Sequence, residues 1–160
     1  MSMVEIHNSV AKVYEENKET LEIFECLDEF SDTQNFCDHY GFDIQDSCNA
    51  ILIKAKKPEE YYAMFCVLGA NRLDVNHKAK EAMGAKRVSF ASTEEAEKVT
   101  GQIYGGISPL GLSENIRVYV DENVIDREKL FIGAGNRVSK FFLSPETLIQ
   151  LSSATVMDLT

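Results

Sequence analysis

The feature that most constrains the fold is a pair of apolar segments, residues 50–55 and 61–68, separated only by the polar stretch KKPEE. This arrangement predicts two strands joined by a turn. Further strands are predicted at residues 87–91, 116–120, 130–132, 138–143 and 155–159. Because strands outnumber helices and do not alternate strictly with them, the pattern favours an α+β fold with a mixed sheet over a doubly wound α/β fold.

Helices are predicted from apolar residues at three- to four-residue spacing and from capping signals. Gly41 and Gly84 follow two of these segments and can adopt the left-handed conformation that ends a helix. Ser92 and Glu95 have the spacing of a capping box. The predicted helices span residues 8 to about 27, 33–40 and 74–83, with two more that begin at Ser92 and at Ser144-Pro145.

The charge of the chain is unevenly distributed. Of a net charge of −10, the whole excess lies in residues 1–48, which hold twelve acidic and two basic side chains, whereas residues 49–160 hold fourteen of each. Residues 51–90 have eight basic against four acidic side chains, so this part could meet a polyanion, although composition alone favours a solvated surface of mixed charge. The length of 160 residues fits a single domain, residues 1–160.

No segment has the length of a membrane span, and no basic segment followed by an apolar stretch opens the chain. The four cysteines have no C-x-x-C spacing and lie among apolar neighbours, as buried thiols do. We therefore expect a cytoplasmic protein. The three histidines are far apart in sequence and none forms an i, i+4 pair, so neither a metal nor a cofactor is expected.

The segment GGISPLG, residues 105–111, is the most specific local motif. Adjacent glycines can expose backbone N–H groups to a carbonyl or an oxyanion, but a tight turn between a helix and a strand would also use such a sequence. It lacks the lysine and serine of a phosphate-binding P-loop. No G-x-S-x-G elbow and no cysteine adjacent to a histidine is present, so nothing indicates a covalent nucleophile.

Read in order from about residue 31 to 159, the chain resembles the YbaK-type aminoacyl-tRNA deacylases, relatives of the editing domain of bacterial prolyl-tRNA synthetases. Residues 1–30 lie outside this likeness and are expected to form an amino-terminal helical extension. The motifs that carry the resemblance are Ser31-Asp-Thr33, Cys48-Asn-Ala-Ile-Leu-Ile53, Gly69-Ala-Asn-Arg-Leu-Asp-Val75, Gly105-Gly-Ile-Ser-Pro-Leu-Gly111, Val120-Asp-Glu122, Gly133-Ala-Gly135 and Phe142-Leu-Ser-Pro145.

The resemblance implies a mixed, mostly antiparallel sheet that forms a closed or nearly closed barrel flanked by helices, with a pocket for the aminoacyl group beside the glycine loop. It further implies trans-editing hydrolysis of tRNA mischarged with a small amino acid such as alanine, cysteine, serine or threonine. The partner would be the acceptor end of an aminoacyl-tRNA, with no DNA and no membrane involved. By motif position, Gly105, Gly106, Ile107, Ser108 and Pro109 would form the substrate-holding loop, with Gly106 and Ser108 in catalytic roles.

One position departs from the family. Many members have a lysine that is important for deacylation where this chain has Asn49. Asparagine can hydrogen-bond a carbonyl or a ribose hydroxyl but carries no charge. We therefore expect Asn49 to serve the substrate through neutral hydrogen bonds, with Arg72, His77 and Lys140 as the candidates to replace the missing charge.

Three functions remain open at the level of sequence. The first is a free-standing deacylase, which the GGISP loop favours. The second is a module that binds an aminoacyl-tRNA end or an amino acid without catalysis, which the missing lysine favours. The third is a hydrolase of small aminoacyl esters unrelated to tRNA, which the acidic first third of the chain would permit. The sequence does not indicate an oligomeric state.

Overall fold

The computed structural model describes residues 4–160, which contain five α-helices and eight β-strands. None of these helices has the length and apolar character needed to cross a membrane. The helices are α1 (Asn8–Glu16), α2 (Thr33–Tyr40), α3 (Lys80–Met83, preceded by the π-helical turn Val75–Ala79), α4 (Thr93–Thr100) and α5 (Pro145–Ser152). The strands are β1 (Glu22–Glu25), β2 (Cys48–Lys57), β3 (Tyr61–Leu68), β4 (Arg87–Phe90), β5 (Arg117–Asp121), β6 (Leu130–Gly133), β7 (Ser139–Leu143) and β8 (Thr155–Met157).

The strands form two sheets. The larger has the order β4-β2-β3-β5-β8, in which β4, β2 and β3 are antiparallel neighbours while the β3–β5 and β5–β8 pairs are parallel. The smaller is antiparallel with the order β1-β7-β6. The predicted α+β class with a mixed, mostly antiparallel sheet is confirmed, and the predicted strand pair is the β2–β3 hairpin.

The resemblance predicts a closed or nearly closed barrel, and no closed barrel is found within the described residues. Between the two sheets, within residues 4–160, only one isolated parallel bridge forms, between Ser47 and Phe131. A continuous ladder between β2 and β6 would join the two sheets, but a cavity lined by residues 47–50 and 131–133 lies there instead. Residues from the segments 31–33 and 104–107 line the same cavity.

The amino-terminal helix is shorter than its sequence pattern predicts. Helix α1 ends at Glu16, and the segment that continues the apolar pattern forms strand β1, which pairs with β7. The Asn17 side chain donates a hydrogen bond to the carbonyl of Val13 near the helix end. Ile23 then packs on the main core while Phe24 packs on a separate aromatic cluster, which is the two-residue alternation of a strand. Residues 1–3 of the predicted extension lie outside the described part of the chain.

The other helix boundaries follow the sequence signals closely. Helices α2, α3 and α4 end at Gly41, Gly84 and Gly101, each with a positive φ. Ser92 and Glu95 form the complete capping box at the start of α4. Pro145 occupies the first turn of α5, where its missing N–H leaves no hydrogen bond broken.

Two apolar clusters hold the elements that surround the cavity. The main core packs between the sheets and includes Phe141 of β7 and Cys48 of β2. An aromatic cluster beneath α2 stacks Phe36 against Phe42, with ring centroids 5.3 Å apart, and Phe36 also contacts Phe131 of β6 at 5.1 Å. This cluster fixes the start of α2 against the smaller sheet, so residues 31–33 are held on one side of the cavity.

The amino-terminal segment supports the glycine loop from behind. Val10 of α1 is fully buried in the main core, and the carbonyl of Glu5 accepts a hydrogen bond from the Asn136 amide at 3.3 Å. Gly111 has a φ of +72°, and a Cβ atom at this position would overlap the carbonyl group of Ser9. Helix α1 can therefore approach the loop only because residue 111 has no side chain.

This close approach predicts that Gly111→Ala destabilises the protein much more than Gly84→Ala. Both glycines have a positive φ, which costs an alanine about 1–2 kcal/mol. At Gly84 a Cβ would meet no atom within 4 Å, whereas at Gly111 it would displace α1 and add roughly 1–3 kcal/mol of overpacking. Urea unfolding of the two variants measures the difference, and equal losses of stability would show that α1 does not pack on Gly111.

Candidate functional site

The candidate site is the cavity in the seam between the two sheets, with a volume of about 260 Å³. Four chain segments meet there: the start of α2, the start of β2, the glycine loop and the end of β6, with one side chain added from β7. Its walls carry both polar and apolar groups. The lining residues are Ser31, Asp32, Thr33, Ser47, Cys48, Asn49, Ala50, Tyr104, Gly105, Gly106, Ile107, Phe131, Ile132, Gly133 and Lys140.

Asn49 is held in the cavity wall by two hydroxyl groups. Its Oδ1 accepts a hydrogen bond from Thr33 Oγ1 at 3.2 Å and another from Ser47 Oγ at 3.0 Å. Both acceptor sites of the amide oxygen are thereby used, and the Nδ2 group remains as the donor. Asn49 is therefore oriented to donate hydrogen bonds to an oxygen atom in the cavity.

Lys140 brings a positive charge to the same cavity from the opposite sheet. It is only 6% exposed, and its Nζ donates a hydrogen bond to the carbonyl of Ser31 at 2.8 Å. The Nζ also lies over the Phe36 ring, 5.4 Å from its centroid. Burial, reinforced by the neighbouring Arg137 charge, lowers the pKa of Lys140 below 10.5, while the nearby Cys26, Asp32 and Cys37 oppose the shift. The ammonium is therefore an incompletely solvated donor at the cavity wall.

The glycine loop has two backbone donors that are not used within the protein. Gly106 N–H donates to the carbonyl of Ile103 at 3.0 Å, closing a turn, and Ser108 N–H donates to Gln102 Oε1 at 2.5 Å. Within residues 4–160, the N–H groups of Gly105 and Ile107 donate to no protein acceptor. These two groups, rather than that of Gly106, are the N–H groups of the cavity-lining glycine loop that are left without a protein acceptor.

Gly106 has a packing role that the sequence did not show. A Cβ atom there would overlap the backbone carbonyl of Asn136, because the loop and the turn at residues 133–136 lie backbone against backbone. The carbonyl of Gly106 also accepts a hydrogen bond from Gly135 N–H at 2.7 Å. Since backbone cannot move aside as a flexible side chain does, any larger residue at position 106 disturbs the loop itself.

The structure brings some of the residues selected from the sequence together and separates others. Asn49, Lys140 and the loop residues from Gly105 to Ile107 line one cavity. Ser108 is fully buried, and its Oγ accepts a hydrogen bond from Leu110 N–H. The residues selected from the sequence that do not line the cavity are Ser108, Pro109, Arg72 and His77. The His77 imidazole is exposed and pairs with Asp74 at 3.1 Å.

Among the cavity residues with no role assigned from the sequence, three stand out. Thr33 and Ser47 orient Asn49, and Tyr104 lies at the rim with 54% of its surface exposed. Thr33 belongs to the Ser31-Asp-Thr33 motif, and the motif marked this segment as part of the family resemblance. Its separation of sixteen residues from Asn49 in the chain gave no indication that the two side chains are in contact. Ser47 and Tyr104 directly precede Cys48-Asn49 and Gly105-Gly106, and proximity to those motifs was the only available signal.

Comparison with known proteins agrees with this architecture. The family described as the aminoacyl-tRNA editing domain matches residues 28–151, which is most of the chain. The chain belongs to this family. Helix α1 and strand β1 precede the matched region, and the cavity lies entirely within it. The resemblance to YbaK-type deacylases and to prolyl-tRNA synthetase editing domains is thereby confirmed.

Individual relatives within the family differ in length. A protein of Enterococcus faecalis named "Putative Cys-tRNA(Pro)/Cys-tRNA(Cys) deacylase EbsC" is 30% identical over 92 residues, 58% of this chain and 56% of that protein. The proline–tRNA ligase of Nautilia profundicola is 32% identical over 106 residues, 65% of this chain and 18% of the ligase. The match therefore spans about half the length of the first relative and less than a fifth of the second.

A solved structure shares the fold across nearly the whole chain. It is described as that of a "putative trans-editing enzyme for prolyl tRNA synthetase", and it superposes with a TM-score of 0.82 at 23% identity. The superposition covers 98% of this chain and 99% of the other. Since the covered part includes most of the segment that precedes residue 28, this amino-terminal region is part of the shared fold.

The environment of Lys140 predicts that its ammonium titrates below pH 10.5. Asp32→Asn should lower this pKa further, because it removes a nearby negative charge that favours the protonated form. Titration of the lysine Cε resonances by ¹³C NMR measures both values, with Lys140→Arg used to assign the signal. A Lys140 pKa at or above 10.5 would contradict the buried position of the side chain.

Proposed function

We propose that this protein hydrolyses the ester bond of tRNA mischarged with a small amino acid, acting in trans as a free-standing deacylase. The observation that carries the proposal is the convergence of the Asn49 amide, the Lys140 ammonium and the unused loop N–H groups on one cavity. All three are donors, which suits an ester whose carbonyl oxygen gains negative charge during attack. Membership of the aminoacyl-tRNA editing family supports the choice of this ester.

The size of the cavity supports a small aminoacyl group. Its volume of about 260 Å³ lies below the ~300 Å³ at which pockets for drug-sized ligands begin. Apolar residues, Ile107, Phe131 and Ile132, are among those that line it, and they suit a short side chain such as that of alanine, cysteine, serine or threonine. Apolar walls alone separate side chains that differ by one methylene only about 10- to 200-fold, so several of these amino acids would be accepted to different degrees.

The attacking group would be a water molecule from solvent. The Ser31 hydroxyl donates to the carbonyl of Gly105, and the hydroxyls of Thr33 and Ser47 donate to Asn49. A hydrogen bond with Cys66, together with burial, raises the pKa of the Cys48 thiol well above its usual range, so little thiolate forms. Since these four potential nucleophiles are engaged or protonated, a water molecule would attack the carbonyl carbon, and the neighbouring ribose hydroxyl could orient that water by a hydrogen bond.

In this mechanism the loop N–H groups of Gly105 and Ile107 would hold the carbonyl oxygen as it becomes an oxyanion. The C–O bond to the ribose then breaks, and the proton released by the attacking water passes to the ribose oxygen as the amino acid leaves. Asn49 Nδ2 would donate to the ribose or carbonyl oxygen, and Lys140 would stabilise the developing negative charge from across the seam. Lys140 thus supplies from β7 the charge that other family members carry on β2.

A non-catalytic binding module is the second candidate. Asn49 in place of the family lysine favours it, as does the hydrogen bond that Lys140 already donates to Ser31. A binding module would use the same donors to hold the aminoacyl end without accelerating hydrolysis. Incubation of the protein with a panel of tRNAs charged with alanine, cysteine, serine, threonine and proline separates the two, because only the deacylase releases the amino acid faster than the uncatalysed rate.

Substitution of Asn49 tests its role as a donor. Asn49→Asp keeps the oxygen that accepts from Thr33 and Ser47 but replaces the Nδ2 donor with a second oxygen. We expect it to lower the deacylation rate at least as much as Asn49→Ala, for which the loss of a partly buried hydrogen bond predicts roughly a 5- to 100-fold decrease. Single-turnover deacylation under enzyme excess measures the rate.

The matched control is Thr33→Val, which removes one hydroxyl that orients Asn49 and leaves the amide in place. A decrease smaller than that of Asn49→Ala is expected, and melting curves of all variants separate loss of activity from loss of fold. Full activity in both Asn49→Ala and Asn49→Asp would make Asn49 a structural residue. If the wild type is inactive on every charged tRNA while Asn49→Lys is active, the protein is the binding module.

The lowered pKa of Lys140 predicts an alkaline limit to activity. The protonated form stabilises the oxyanion, so activity should fall as the pH rises through the Lys140 pKa, before an ordinary lysine would lose its proton. Lys140→Gln, which can still donate to Ser31, should lower the rate at neutral pH and remove this limb of the profile. Lys140→Arg keeps its positive charge at high pH, so an active variant should show the alkaline fall in activity at a higher pH than the wild type. A Lys140→Gln profile identical to the wild type would exclude Lys140 from the reaction.

A further inference from the structure

The rim of the cavity carries an aromatic side chain that the proposed hydrolysis does not use. Tyr104 is 54% exposed and directly precedes Gly105 and Gly106. Within the described residues its ring stacks on no other aromatic ring, and its hydroxyl forms no hydrogen bond. Ile103 beside it is also 43% exposed. A large apolar ring therefore stands in solvent at the mouth of the candidate site.

The position of Tyr104 is fixed although its ring is free. Its backbone N–H donates to Glu97 Oε2 of α4 at 2.8 Å, and the Gly105 carbonyl that follows accepts from Ser31 Oγ at 3.2 Å. Gly105 has a positive φ, and the Arg137 guanidinium occupies the space that a Cβ at Gly105 would need. Arg137 is itself bound to Asp28 and Asp32. The backbone on both sides of Tyr104 is therefore anchored, so a ligand that contacts the ring costs little backbone conformational entropy.

The cavity is too small to hold the aminoacyl group together with the whole terminal nucleotide. About 260 Å³ accommodates a small aminoacyl group and part of a ribose, but not the purine base attached to that ribose. The base must then lie outside, against the rim, where Tyr104 is the exposed aromatic group among the lining residues. Aromatic side chains stack on nucleobases because every base presents a π-face.

We propose that Tyr104 is the stacking platform for the 3′-terminal adenine of the tRNA, and so positions the ester over the cavity. This inference rests on the proposed function. It assigns Tyr104 to binding of the nucleotide, separate from Asn49 and Lys140, which act on the ester. The net charge of −10 makes such a contact valuable, because a chain with this charge gains little from general attraction to phosphate.

The absence of tryptophan from the chain allows a direct test. Tyr104→Trp introduces a single indole at the rim, and stacking of a base on it would quench its fluorescence. The probes are the trinucleotide CCA and the same trinucleotide with an abasic ribose at its 3′ end, which carries the same phosphates. The matched control is Phe90→Trp, an exposed aromatic position on β4 outside the residues that line the cavity.

CCA is expected to quench the indole of Tyr104→Trp and to bind at least fivefold more tightly than the abasic probe, since stacking on an aromatic side chain changes affinity roughly 5- to 100-fold. Neither probe should quench the indole of Phe90→Trp. Equal affinity of Tyr104→Trp for the two probes, or no quenching of its indole by CCA at millimolar concentration, would overturn the proposal.

Kinetics supply a second, independent readout. Tyr104→Ala should raise KM for charged tRNA by about 5- to 100-fold with a smaller effect on kcat, whereas Tyr104→Phe, which keeps the ring, should resemble the wild type. An unchanged KM in Tyr104→Ala with an active wild type would refute the stacking and leave the deacylase intact. If no variant hydrolyses any charged tRNA, the proposed function fails, and the fluorescence experiment still decides whether the aromatic side chain at position 104 stacks on the terminal base.

Discussion

The candidate site depends on the contact between two glycine-rich segments that pack backbone against backbone. The loop at residues 105–107 and the turn at residues 133–136 exchange close contacts that no side chain could enter, because a Cβ at Gly106 or Gly133 would overlap a carbonyl of the facing segment. Hydrogen bonds from Ile103 and Gly135 join the same two segments. This contact holds the loop at the end of β6, and so sets where its free N–H groups point.

The same contact lies beside the seam between the two sheets. The loop and the start of α2 line the cavity at this seam, where β2 and β6 approach each other and one isolated bridge joins Ser47 to Phe131. Helix α1 presses on the loop from the far side at Gly111. The amino-terminal region, although it precedes the family match, is thus part of the support for the site rather than a separate appendage.

In the proposed mechanism two side chains divide the properties that a single lysine would combine. Asn49 supplies a neutral, well-oriented donor, because its oxygen is held by two hydroxyls. Lys140 supplies the charge from the other sheet, at the cost of burial that lowers its pKa. A desolvated ammonium interacts more strongly with a developing oxyanion than a hydrated one does, so its burial and its proposed role have the same physical origin.

The sequence by itself determined the local elements and the family. Capping residues and glycines located the ends of α2, α3 and α4, and the apolar pair at residues 50–68 gave the central hairpin, because these depend on interactions between residues close in the chain. The secondary structure predicted from the sequence is wrong where long-range packing overrides the local pattern. The apolar residues of β1 also fit a helix, and their pairing with β7 makes them a strand. Only the tertiary structure decided that the two sheets stay separate, that Lys140 rather than Arg72 or His77 lines the same cavity as Asn49, and that the N–H of Gly106 is used within its own turn. The first two of these facts depend on contacts between residues far apart in the chain, and the third depends on the exact fold of a loop, so sequence spacing carries no information about them.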